Sequence, residues 1–172
     1  MAVSLSRAAA LAFSSSAFSS GEALRAAIGP KTSAVIINTP NNPVGAVYTR
    51  ESLEALAAML REREEALGRP LYLISDEPYR AITYGIEVPW VPSIYARTIV
   101  CYSYSKALSL PGERIGWVYV SDAADDGDAV AVAVAGAGRA PGYVCAPVPL
   151  PPLAARRVGE PSGGAAHADT RP

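Results

Sequence analysis

Short apolar strands alternate with one long amphipathic helix in the middle of this chain, and this alternation limits the fold more than any other feature. The run SAVIIN at 33–38 is apolar and β-branched and ends in a Pro/Asn/Gly loop, which is typical of a buried strand. Apolar residues recur at helical spacing over 51–67, with Thr49 as a suitable N-cap and Gly68 as a suitable C-terminal cap. Further apolar runs that predict strands lie at 71–75, 98–102 and 115–120. The pattern predicts an α/β fold with a mostly parallel sheet and flanking helices.

The two ends of the chain differ in composition from the middle. Residues 1–21 are rich in serine and predict an irregular or disordered segment, and whether it serves targeting stays open. Residues 147–172 are rich in Pro, Gly and Ala without an apolar period, and predict a disordered tail. The Ala/Val stretch 129–138 fits either a helix or a strand. We therefore expect one partial α/β domain at 22–146.

The overall composition limits the classes of binding partner and the cellular compartment that we expect for this chain. Lysine and arginine total 15 against 16 acids, and a net charge of −1 does not favour a nucleic-acid binder or a membrane-surface protein. No uncharged apolar run reaches the roughly 20 residues that span a bilayer. Two cysteines cannot build a disulfide framework, so we expect a reducing, cytoplasmic compartment. The single histidine, His167, lies in the tail, which argues against histidine catalysis and a histidine-rich metal site, and we expect no metal.

Polar side chains follow three of the predicted strands. Asn42 follows the first strand, Asp76 and Tyr79 follow the second, and Ser103 and Lys106 follow the third. Ligands of parallel α/β sheets bind outside the carboxyl ends of the strands. We therefore expect an amide, a carboxylate, a phenol, hydroxyls and an amine to converge at one edge of the sheet.

This set of groups meets the chemical requirements of pyridoxal 5′-phosphate. A lysine amine such as Lys106 can form a Schiff base with an aldehyde once burial or neighbouring cations release its lone pair. Arg114 offers a forked donor to a phosphate. Asp76 suits a protonated pyridine nitrogen. Tyr79 and Asn42 can donate to the phenolate oxygen of the ring.

Three sequence strings in a fixed order carry a resemblance to a known family. They are NTPNNPVG at 38–45, SDEPY at 75–79 and SYSKALSLPGERIGW at 103–117, and the last resembles an S-x-S-K…R-x-G signature around a cofactor lysine. The chain resembles the central part of the large domain of class I/II aminotransferases, the fold-type-I enzymes that use pyridoxal phosphate.

The resemblance implies a role for each of these side chains. Lys106 resembles the catalytic Schiff-base lysine, which also moves the proton at the substrate α-carbon. Asp76 resembles the partner of the pyridine nitrogen, and Tyr79 and Asn42 resemble the pair at the ring phenolate. Serines and an arginine resemble the phosphate holders, with Ser105 as an additional candidate. The implied cofactor-binding set is Asn42, Asp76, Tyr79, Ser103, Ser105, Lys106 and Arg114.

The resemblance also implies an activity, with alternatives left open. Family members transfer an amino group from an amino acid to a 2-oxo acid, and they act as homodimers. They are longer, and no counterpart of their upstream phosphate loop precedes Leu24, nor is their substrate-carboxylate arginine assignable here. We therefore expect a fragment of such an enzyme. The alternatives are an inactive remnant that at most binds cofactor, or another fold-type-I enzyme such as a carbon–sulfur lyase.

Several residues near these strings are interpreted as structural. Glu77 and Tyr104 are assigned no chemical role. Cys101 lies in an apolar run and is expected to be an inert core thiol. Trp117 and Tyr119 share one face of their strand, and we expect them in the core.

Overall fold

The computed structural model describes residues 21–137. The segment predicted to be irregular lies outside the described residues except for Gly21, and so does the whole of the predicted tail at 147–172. In chain order the elements are α1 (Gly21–Ala27), β1 (Ala34–Asn38), α2 (Arg50–Leu67), β2 (Tyr72–Asp76), a 3-10 turn (Val91–Ser93), β3 (Thr98–Ser103), α3 (Tyr104–Ala107), β4 (Gly116–Val120) and α4 (Gly127–Ala137).

Helix α2 begins and ends where its capping residues predict. The Ser52 N–H donates to Thr49 Oγ1 at 3.2 Å, which satisfies one of the free donors of the first turn. Gly68 closes the helix with φ of 64°, a left-handed conformation that glycine adopts without steric cost. The helix predicted at 51–67 is thus confirmed to within one residue.

The four strands form one sheet in the order β1-β2-β3-β4. Strands β1, β2 and β3 run parallel, and β4 runs antiparallel to β3. The predicted mostly parallel sheet is confirmed. Because β4 is reversed, its first residue, Gly116, lies opposite Ser103 at the end of β3. The beginning of β4 therefore shares an edge with the carboxyl ends of the other three strands.

One face of the sheet and helix α2 enclose the main core. Val35, Ile37 and Leu73 alternate along β1 and β2 and are at most 3% exposed. The buried Tyr95 hydroxyl donates to the Leu71 carbonyl at 2.7 Å, so the phenol enters the core with its polar atom satisfied. The α2 residues that complete this core are Leu53, Leu56, Ala57, Met59 and Leu60. Each fully buried aliphatic side chain contributes about 1.5–3 kcal/mol relative to exposure.

The opposite face of the sheet is less covered. Ile36, Ile74 and Ile99 are half-buried there, and Val118 is 45% exposed. The ambiguous stretch 129–138 is helical as far as Ala137 and belongs to α4, which packs against β4. Between residues 21 and 137, no helix has the length and apolar character needed to cross a bilayer.

Gly116 is required where β4 meets β3. A Cβ atom at this position would lie 2.2 Å from the Tyr102 carbonyl oxygen, which is a backbone atom that cannot move aside without breaking the strand pairing. Gly116→Ala should therefore lower the free energy of unfolding by roughly 3 kcal/mol, the upper end of the cost of overpacking. Urea unfolding would measure the change. Gly112→Ala is the control, because a Cβ there meets nothing within 4 Å. Equal losses in both variants would contradict this explanation.

Candidate functional site

The strand register brings the predicted site residues to one edge of the sheet. Asn38 at the end of β1 is paired with Asp76 at the end of β2, and Asp76 is paired with Cys101 of β3. Ser103 ends β3 two residues further along. Arg114 precedes the first residue of β4 by two positions, so the reversed strand places it at the same edge.

Asp76 is a half-buried carboxylate with an amide partner. The Asn38 side chain donates to Asp76 Oδ2 at 3.2 Å and to the Asp76 carbonyl at 3.0 Å. Burial raises the pKa of the Asp76 carboxyl, and the Asn38 hydrogen bond opposes that shift only in part. A cationic N–H donor placed against this carboxylate would favour its charged form. The environment therefore suits a protonated ring nitrogen.

Asn38 also holds the loop that carries Asn42. Its Oδ1 accepts the Asn42 backbone N–H at 2.8 Å. The loop closes with the Gly45 N–H donating to the Asn41 carbonyl at 2.7 Å, and Gly45 has φ of 70°, where a side chain would be strained. The exposed side chain of Asn42 thus starts from a backbone fixed to the end of β1.

Lys106 and Tyr79 come from different strand ends and meet in space. Lys106 lies in the short helix α3 that follows β3, and Tyr79 lies in the turn that follows β2. The Lys106 Nζ atom lies 5.7 Å from the centroid of the Tyr79 ring, within the range of a cation–π contact. An amine and a phenol are thereby combined beside the strand that ends in Asp76.

Ser103 and Ser105 form a pair at the start of α3. Ser103 Oγ accepts the Ser105 N–H at 3.1 Å and donates to Ser105 Oγ at 2.7 Å. Arg114 does not join them by a side-chain contact. Its Nη1 donates to the Pro111 carbonyl at 3.2 Å within its own loop, and its φ is 52°. The pairing of Gly116 with Ser103 places the backbone of residue 114 at the same edge of the sheet as the serines.

Aromatic rings support the end of β3 from one face. Tyr102 stacks on Trp117 with centroids 5.1 Å apart, and Tyr104 meets Tyr102 edge-on at 5.3 Å. Tyr119 lies 5.2 Å from Trp90. Trp117 and Tyr119 are half-buried and lie outside the main core, which corrects their predicted placement.

Cys101 is half-buried on the less covered face of the sheet, so its predicted core position is wrong. Burial raises the pKa of its thiol, and the nearby carboxylates of Asp76 and Glu77 raise that pKa further. The thiol therefore stays protonated at neutral pH, which agrees with the predicted lack of reactivity.

Two features of the site were not assigned a role from sequence. Asn38 links the carboxylate of Asp76 to the loop of Asn42, and the signal for it was a polar residue at the end of an otherwise apolar strand. Glu77 was set aside as structural, yet it is fully buried and paired with Arg80 directly beside Tyr79. The sequence feature that could have pointed to Glu77 was a second acid directly after Asp76 at the end of an apolar strand.

Comparison with known proteins places this chain in one family. Residues 15–168 match the sequence profile described as aminotransferase class I and II. An aspartate aminotransferase of Geobacillus stearothermophilus is 40% identical over 101 residues, which cover 56% of this chain and 24% of that protein. The human kynurenine–oxoglutarate transaminase 1 is 33% identical over 96 residues, 54% of this chain and 21% of that protein.

Solved structures agree with the sequence matches. The crystal structure of an amino transferase from Eubacterium rectale superposes with a TM-score of 0.68 and 53% identity, over 73% of this chain and 32% of that one. An aspartate aminotransferase from Thermotoga maritima gives a TM-score of 0.57 at 34% identity, over 69% and 29%. The chain thus spans about a quarter of the curated relatives' length.

The raised pKa of Asp76 gives a test of its environment. Because the native state binds a proton more readily than the unfolded state, the wild type loses stability as pH rises from the ordinary value of 3.8 through the raised pKa. Asp76→Asn removes this loss. The variant should therefore gain stability relative to the wild type between about pH 4 and neutrality.

Urea unfolding at several pH values would measure the difference. Asp122→Asn, the same substitution at an exposed position, controls for the chemical change itself. A stability of the Asp76 variant that falls further below the wild type as pH rises would contradict the argument.

Proposed function

The chain belongs to the class I and II aminotransferase family, and on this premise we propose that it carries the lysine-centred part of a pyridoxal-phosphate site that transfers amino groups. The observation that carries the proposal is the meeting of Lys106 with Tyr79, one strand away from the half-buried carboxylate of Asp76. The amine follows β3, the acid ends β2 and the phenol lies in the turn after β2, so two neighbouring strand ends supply all three groups.

The chemistry of these residues suits the polar groups of the cofactor. When bound, pyridoxal phosphate supplies an aldehyde that accepts an amino group and a protonated ring that withdraws electrons from the attached carbon. Asp76 would hold the proton on the ring nitrogen, which would also offset the burial cost of its own carboxylate. Tyr79 and Asn42 would donate to the ring oxygen. Lys106 offers the amine for the aldehyde.

The phosphate end of the site would use neutral and charged donors together. Ser103 and Ser105 already lie within hydrogen-bond distance of each other, so two hydroxyls face the same small region. Arg114 would bring its guanidinium from the beginning of β4, at the cost of its hydrogen bond to the Pro111 carbonyl. An arginine gives two parallel donors, which suits a phosphate better than a single lysine does.

With the cofactor bound, the Lys106 amine would have a second role as a base. It would take the proton from the substrate α-carbon and deliver it to the cofactor carbon that had carried the aldehyde, because a positioned base close to both atoms lowers the barrier for each transfer. We propose an amino acid as the donor and a 2-oxo acid as the acceptor. Two relatives, an aspartate aminotransferase and a kynurenine–oxoglutarate transaminase, support this substrate class by their names.

Lysine labelling tests the proposal directly. The chain has two lysines, and exposed Lys31 lies before β1, at the opposite edge of the sheet from Lys106. After incubation with pyridoxal phosphate and reduction with borohydride, we expect a roughly tenfold excess of adduct on Lys106, equivalent to about 1.4 kcal/mol of directed binding. Peptide mapping by mass spectrometry measures the ratio.

The labelling has a matched control and a clear contrary result. Lys106→Ala should lose this adduct without a compensating gain at Lys31. Equal labelling of the two lysines in the folded wild-type chain would refute the proposed site. Selective labelling without turnover of any amino acid and 2-oxo acid pair would favour the alternative of a cofactor binder without transferase activity.

A further inference from the structure

Glu77 is an acidic residue with no exposed surface, and the partners of its side chain are close to it in sequence. It follows Asp76 directly, and its backbone N–H donates to the Cys101 carbonyl at 2.8 Å. Its Oε1 accepts the Ser75 hydroxyl at 2.7 Å, and its Oε2 accepts Arg80 Nε. A buried carboxylate that lost such partners would be strongly destabilising. The pairing is therefore a firm constraint on the turn between residues 77 and 80.

Arg80 uses every nitrogen of its guanidinium to fix that turn. Besides the bond from Nε to Glu77, Nη1 donates to the Val88 carbonyl at 2.8 Å and Nη2 donates to the Pro89 carbonyl at 2.7 Å. Its central carbon lies 5.3 Å from the centroid of the Trp90 ring. The planar fork thus ties the turn to the segment 88–90, which lysine could not do with one ammonium.

Tyr79 lies inside the turn that this pair closes. The backbone closes it too, with the Arg80 N–H donating to the Glu77 carbonyl at 3.2 Å. The turn sets where the Tyr79 backbone lies, and from there the ring centroid comes within 5.7 Å of Lys106 Nζ. We propose that the buried Glu77–Arg80 pair is a positioning device that holds Tyr79 against Lys106.

Glu77 and its neighbour Asp76 have different roles. The two acids lie on opposite faces because side chains alternate along an extended chain. Asp76 keeps a half-buried carboxylate, whereas both carboxylate oxygens of Glu77 accept hydrogen bonds from within the fold, one from Ser75 and one from Arg80. Glu77 and Arg80 touch neither amine nor phenol, so they act through Tyr79. The catalytic meaning of this positioning rests on the proposed function of Lys106, but the positioning itself does not.

A cofactor-free measurement tests the positioning. The full chain is treated with a trace of acetic anhydride at fixed pH, and the acetylation rate of Lys106 is read against that of Lys31 by mass spectrometry. In Arg80→Lys the charge on Glu77 stays neutralised, but the bonds to the 88 and 89 carbonyls are lost. Because the ring no longer covers and attracts the ammonium, Lys106 should acetylate roughly two- to fivefold faster, the range of an exposed cation–π contact.

Arg61→Lys is the matched control. Arg61 also donates to a backbone carbonyl, that of Ile94 at 2.6 Å, and also lies over a ring, that of Tyr95 at 5.7 Å. Arg61 lies on helix α2, away from the helix α3 that carries Lys106. This variant should leave the acetylation ratio unchanged. An equal rise in both arginine variants would overturn the proposal, since it would show a general loosening of the fold.

A double-mutant comparison separates positioning from mere stability. If Arg80 acts through Tyr79, then Arg80→Lys should have no further effect on the ratio in a Tyr79→Ala background. The same rise in both backgrounds would overturn the proposal, as would no rise in a folded Arg80→Lys chain. If that variant does not fold, Ser75→Ala decides the matter, because it removes one hydrogen bond to Glu77 and should raise the ratio less but in the same direction.

The outcome is distinguishable from that of the proposed function. Acetylation involves no cofactor, so the rise in Arg80→Lys supports the positioning role even in a chain that pyridoxal phosphate labels without preference. Selective pyridoxal phosphate labelling combined with an unchanged acetylation ratio would instead retain the proposed function and overturn the role of the Glu77–Arg80 pair.

Discussion

The parallel pairing of β1, β2 and β3 is the constraint on which the candidate site depends. Neighbouring strands lie about 4.8 Å apart, so residues that are paired at the strand ends are held close together by backbone hydrogen bonds. A slip of one residue in β2 would exchange the faces of Asp76 and Glu77 and would expose Leu73. The burial of Leu73 and of its neighbours Val35 and Ile37 against the helix therefore protects the register of the site.

Two adjacent acids show how position decides chemistry. Glu77 is fully buried, and its carboxylate is paired within the fold with a hydroxyl and a guanidinium. Asp76 is half-buried with one amide partner, and burial raises its pKa. A buried carboxylate with few hydrogen-bond donors from its own chain can accept a cationic group of a ligand. The cost of burying that carboxylate lowers the stability of the ligand-free fold.

Local patterns allowed most of the sheet and the long helix to be predicted. The β-branched runs located the strands, Thr49 and Gly68 located the ends of α2, and polar residues after each strand located the edge with Lys106 and Asp76. Contacts between distant segments were not predictable, because no local spacing encodes them. Arg80 reaches the carbonyls of residues 88 and 89, and Tyr119 meets the ring of Trp90.

Tyr79 lies in a turn and Lys106 lies in a helix of four residues, so these short segments need further bonds to hold them in place. After each of the three parallel strands, one polar side chain bonds back to the chain. Asn38 accepts the N–H of Asn42, Glu77 holds Arg80, and Ser103 accepts the N–H of Ser105. Each bond joins a residue at the strand end to one that lies two to four positions further along. The strands set where the three turns begin, and these bonds set where the turns point, so the geometry of the site is specified twice.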